Sequence, residues 1–133
     1  MFSVFDIAGS ALQAQSQRMN VTASNLANAN SLAGPDGEPY RAKQVYFQTR
    51  PQGTDGIGGV QVTRVIDDPS PMPVEYRPAS PFANAEGYVT LPNVKPVNEM
   101  VNMISASRSY QANIEVINTT KQMISQTLRI GEG

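Results

Sequence analysis

From Met100 to Leu128 the chain repeats a 3-4 spacing: Met100, Met103, Ser107, Tyr110, Ile114, Ile117, Lys121, Ile124, Leu128. Seven of these nine positions are apolar, and neither a strand nor a loop produces that period. The spacing predicts a helix over 97–130, roughly 50 Å long at about 1.5 Å per residue. Pro96 suits its first turn and Gly131 its stop. Val101, Ile104, Val116 and Met123 lie beside the stripe and widen its apolar surface. A helix this long and this sticky needs something to lie against, and that requirement governs the rest of the reading.

The N-terminal stretch offers a partner of similar build. Ser3 and Asp6 have capping-box spacing, with Phe2 and Ile7 at the staple positions, so a helix is expected from Val4 to about Asn30. Its stripe is Phe5, Ala8, Leu12, Gln15, Met19, Thr22 and Leu26, flanked by Ala11, Ala14, Ala23 and Ala27, which let neighbouring helices approach closely. The segment VTASNLANAN at 21–30 is a poor helix former, because short polar side chains compete for backbone hydrogen bonds. Packing against neighbours is expected to hold it helical, with Asn25 and Asn28 bonding between helices.

Between the ends lies a Gly- and Pro-rich middle, 31–96. Alternation predicts short strands around Val45–Thr49 and Val60–Arg64, joined through GTDGIGG at 53–59. DDPSPMPVEYRPASP reads as an extended, proline-broken arm or edge segment. The expected fold is therefore mainly α: two long terminal helices packed antiparallel as a coiled-coil-like pair, with a small β-hairpin and extended middle. The expected division is 1–30, 31–96 and 97–133, the outer two forming one helical unit.

Composition excludes several functions. A net charge of -1 supplies no field for nucleic acid or an anionic membrane. Without Cys, His or Trp in 133 residues, the chain lacks the usual zinc ligands, the thiolate and the imidazole. Asp67-Asp68 before Pro69 reads as a turn, and the loop at 53–59 lacks the Lys and Ser/Thr of a phosphate-binding loop. No enzyme activity, catalytic residue, cofactor or metal is expected. No stretch reaches the roughly 20 apolar residues that span a bilayer, and no secretory leader pattern precedes Arg18.

Assembly is the remaining reading. The side chains expected to carry helix packing are Phe5, Leu12, Met19, Leu26, Asn25 and Asn28 in the first helix. In the second they are Met100, Met103, Tyr110, Ile114, Ile117, Ile124 and Leu128. The rival is a small binding module or export chaperone whose Met-rich helix (Met100, Met103, Met123) forms a groove for a client helix.

ASNLANANS at 23–31 resembles the N-terminal signature of the bacterial flagellar rod and hook axial proteins. The stretch EGYVTLPNVKPVNEMVNMISASRSYQANIEVINTTKQMISQTLRIG is similar to the C-terminal part of their proximal rod subgroup. Where the wider family runs on to Thr-Pro-Gly-Tyr, this chain has SLAGPDGEPY ending at Tyr40, similar to the longer insert of that subgroup. The resemblance spans essentially the whole chain. It implies a structural subunit exported through the flagellar export apparatus and built into the torque-transmitting rod. Other rod subunits, the membrane ring and the rod-base adaptor are its implied neighbours, with the terminal helices inside a tube and the middle segment outside.

Overall fold

The computed structural model describes residues 2–33, 37–51 and 58–132. Helix α1 spans Phe2–Ala27 and helix α2 spans Pro96–Glu132. Between them come strands β1 (Lys43–Arg50), β2 (Gly59–Asp67), β3 (Val74–Tyr76) and β4 (Tyr88–Thr90). β1 pairs antiparallel with β2, and β3 with β4, as two separate two-stranded sheets.

The helices run in opposite directions. Arg18 of α1 meets Asn102 near the start of α2, while Leu12 shares a shallow groove with Tyr110, about two turns further along α2. α2 packs against α1 and against no other described helix or strand; α1 also carries the β1–β2 sheet. α1 is therefore the central element, with α2 on one side and the sheet on another.

Several boundaries differ from the sequence reading, each for a local reason. α1 starts at Phe2, so Ser3 lies inside the helix rather than capping it. It ends at Ala27, where Asn28 Nδ2 donates to the Ser24 carbonyl at 2.9 Å and Asn28 Oδ1 accepts from Ser31 Oγ. A polar side chain competing for helix carbonyls is a stop signal here. α2 begins with Pro96 in its first position, where a missing N–H costs nothing, and the first i→i−4 bond runs from Glu99 N to Lys95 O. It runs through Gly131 to Glu132 rather than stopping at the glycine. The proline-broken arm contains strand β3, and Leu91 N donating to Pro73 O extends its pairing with β4. Of the segment 53–59, only Gly58 and Gly59 lie within the described residues.

The stripe by which α2 meets α1 is rotated from the sequence-based one. Met103, Ala106, Tyr110, Asn113, Ile117, Thr120 and Ile124 are buried or half-buried, again at 3-4 spacing. Ala106 and Thr120 are the buried residues of α2. Met100, Ile114 and Leu128 face solvent instead. Small residues allow the closest helix approach, and the buried apolar residue of α2 is Ala106 rather than one of its large side chains.

Candidate assembly surface

Among the described residues the buried hydrophobic ones are Ala8, Ala14, Ala42, Val89 and Ala106, none larger than valine. Such a core removes little apolar area from water, and the surface records the consequence. The accessible area is 8920 Å², about 30% above the roughly 6,800 Å² expected of a compact monomer of this mass.

Among the described residues, nine of the sixteen exposed large hydrophobic side chains lie on α2. Val101 and Ile104 are 60% and 55% exposed, and Val97 and Met100 are exposed beside them. At 3.6 residues per turn these four fall within about 100° of one another, on the side opposite Ala106. The last turns form a second patch: Ser125–Glu132 is exposed throughout, with Leu128 at 63% and Ile130 at 80%. α2 has 37 residues against 26 in α1, so it overhangs its partner. Contiguous apolar faces of this kind mark interaction sites.

The other residues expected to carry packing divide into two groups. Phe5, Leu12, Met19 and Leu26 on α1, and Met103, Tyr110, Ile117 and Ile124 on α2, are half-buried within the chain. Asn25 is 1% exposed, and its bonds run to the middle segment rather than to a helix. Its Nδ2 donates to Lys43 O at 3.0 Å, while its Oδ1 accepts from Lys43 N at 2.9 Å and from Tyr40 Oη at 2.7 Å. Within the chain the asparagine run makes no bond between the two helices: the side-chain hydrogen bonds of Asn28 stay local.

Two further polar anchors escape sequence reasoning. Asn93 Oδ1 accepts from Ala42 N at 2.7 Å, and its Nδ2 donates to the carbonyls of Asp68 and Ser70, which also accept from Arg41. Asn93 thereby ties the start of β1 to the segment after β2, just ahead of α2. At the other end of the sheet, Ser10 Oγ accepts from Val60 N at 3.0 Å. A Cβ on Gly59 would lie 2.1 Å from that Oγ, so only glycine allows this approach. The one available signal was the identity of these residues, Asn and Ser, whose side chains substitute for backbone partners.

Asp68 forms the turn expected of Asp67-Asp68, accepting from Ser70 N at 2.8 Å. Hydrogen bonds from Ser70, and secondarily the charge of Lys95, hold its carboxyl below the ordinary value. Lys43 and Asp67 form an exposed ion pair across β1 and β2. No described helix is long and apolar enough to cross a membrane.

An uncovered apolar face along α2, on a helix that overhangs its partner, is the build of a subunit that packs against other chains. Residues 5–34 match the family described as flagella basal body rod protein, and residues 85–130 match the flagellar basal body rod FlgEFG protein C-terminal family. The chain is 59% identical to the flagellar basal-body rod protein FlgC of Yersinia enterocolitica and 58% identical to that of Escherichia coli O157:H7, in each case over 99% of this chain and 98% of the relative. Against the FlgC of Buchnera aphidicola subsp. Acyrthosiphon pisum it is 53% identical over the same shares. The chain belongs to the FlgC family of flagellar basal-body rod proteins, structural components of the rod.

Proposed function

We propose that this chain is a subunit of the proximal part of the rod and that it assembles with other rod subunits through α1 and α2 into a torque-transmitting shaft. The observation that carries this is the apolar face of α2, Val97, Met100, Val101 and Ile104, turned away from α1, the one described element that α2 touches. On this reading Phe5, Leu12, Met19 and Leu26 pack with Met103, Tyr110, Ile117 and Ile124 as a coiled-coil-like pair, while Met100, Ile114 and Leu128 meet neighbouring chains. Asn25 and Asn28 serve assembly indirectly, by fixing where α1 ends and where the middle segment attaches.

Residues 1–30 and 97–133 form the inner helical unit of a tube, and 31–96 lies outside it. Contacts between unlike surfaces that do not close into a ring propagate as a helix. Twisting such a tube slides helices and exposes apolar area at about 25 cal/mol per Å², which is what resists torque. Neighbours would be rod subunits, the membrane ring and the rod-base adaptor, reached through the flagellar export apparatus.

The test is Ile104→Asp, on the outer face of α2. Loss of rod incorporation and motility, with the circular dichroism of the purified chain unchanged, is the expected result. Normal incorporation would refute the proposal.

A further inference from the structure

Asn25 treats Lys43 as a neighbouring strand would, taking both its N–H and its C=O. A strand residue whose two backbone groups point away from its own ladder occupies a non-hydrogen-bonded pair, here Lys43 with Asp67. Alternation then turns the backbone groups of Val45, Phe47 and Thr49 to the same outer edge. β1 pairs with β2 alone, so among the described residues no strand covers that edge.

The edge opens into a groove of about 780 Å³. Arg18 and Val21 of α1 form its floor, Val45 and Phe47 one wall, and Asn98 and Asn102 of α2 the other. β1 and α2 both pack on α1 without touching each other, which leaves the gap between them.

The two edges of the sheet are treated differently. β2 is blunted by a bulge, since the pairing shifts from Tyr46–Arg64 to Phe47–Val62 and leaves Thr63 extra, and Ser10 takes the N–H of Val60. On β1, Gln44–Thr49 is six uncharged residues without Gly or Pro, rich in β-formers, and lacks those protective devices. A long unblunted edge beside a groove is a strand-addition site.

We infer that the outer edge of β1 receives an extended, uncharged segment of another polypeptide as a third strand, lying between β1 and α2 and continuing the rung that Asn25 begins. The segment is uncharged because the charges around the groove balance: Lys43 is paired with Asp67 outside it, which leaves Arg18 and Lys95 against Asp68 and Glu99. It is a single extended segment rather than the β1 edge of a folded second copy, because α2 walls the far side of the groove. This site is separate from the outer face of α2 on which the rod assignment rests, so the two succeed or fail independently.

The experiment uses the full chain, isotope-labelled, with a synthetic octapeptide of alternating Thr and Val bearing a Lys at each end. A twin peptide, N-methylated on every second residue, serves as the control. At about 1 mM the unmodified peptide is expected to slow hydrogen exchange at the Val45 and Phe47 amides at least about tenfold, and the twin is not. Phe47→Pro removes one outward donor and should abolish protection at Val45. Phe47→Lys, which keeps the backbone intact, should weaken it. No slowing, equal slowing by both peptides, or edge amides already protected in the free chain would overturn the inference. Protection that rises with protein concentration in the absence of peptide would assign the edge to a second copy and overturn it equally.

Discussion

Asn25 satisfies three groups with one carboxamide in a nearly solvent-free position: Lys43 N, Lys43 O and the Tyr40 hydroxyl. Replacing it by Ala leaves Lys43 N and O without that partner, at about 1–3 kcal/mol for each that stays buried, while the Tyr40 hydroxyl keeps Ser24 Oγ at 3.2 Å. Asn25→Ala is expected to lower the denaturant midpoint and to release the Lys43 amide to fast exchange while α2 amides near Ala106 keep their protection. Asn25→Asp retains the acceptor but loses the donor, so it should fall between. Asp68 gives a pH signature of defined sign. Its folded carboxyl titrates below the ordinary value, so its contribution is complete above that value and is lost as pH falls through the folded one. Asp68→Asn keeps the turn acceptor for Ser70 N yet removes the titration, and the stability profile of the variant should flatten on its acid limb. The sequence made the weak helical character of 21–30 legible, but not its use. Nothing in the order of residues states that the partner of Asn25 lies 18 positions away, at the start of a strand.

At the scale of elements, both helices, the antiparallel β1–β2 pair and the turn at Asp68 were legible because each rests on a local period or a local turn residue. The phase of α2 was not. Met103, Tyr110, Ile117 and Ile124 belong to both the sequence-based stripe and the observed one, but their companions change from Met100, Ser107, Ile114, Lys121 and Leu128 to Ala106, Asn113 and Thr120. Periodicity weights size, whereas helix approach rewards smallness, so the two readings select adjacent faces of one cylinder. The difference has a consequence for mutants. Ile117, half-buried on the inner stripe, should disrupt the helix pair itself when replaced by Asp, with a fall in helical circular dichroism of the isolated chain. Ile104→Asp on the outer face should leave that signal in place. Equal behaviour of the two variants in the isolated chain would mean that the inner and outer faces are misassigned.

The whole molecule is held together unevenly, and that unevenness sets how it orders. α2 gains its burial from α1 alone, along a line ending near Ile124, and the turns beyond it have no intramolecular partner among the described residues. A helical segment shorter than about 12 residues is marginal in water without packing. Opening free energy along α2 should therefore be greatest around Ala106–Thr120 and lowest over Ser125–Glu132, where Leu128 and Ile130 contribute nothing until another chain covers them. Hydrogen exchange on the dilute chain is expected to show that gradient, and incorporation into the rod should erase it, raising protection most in the last eight described residues. The gain on assembly offsets the ordering entropy of those turns, so helicity and association rise together. Uniform, full protection along α2 in the dilute chain would show instead that the helix is complete before any partner arrives.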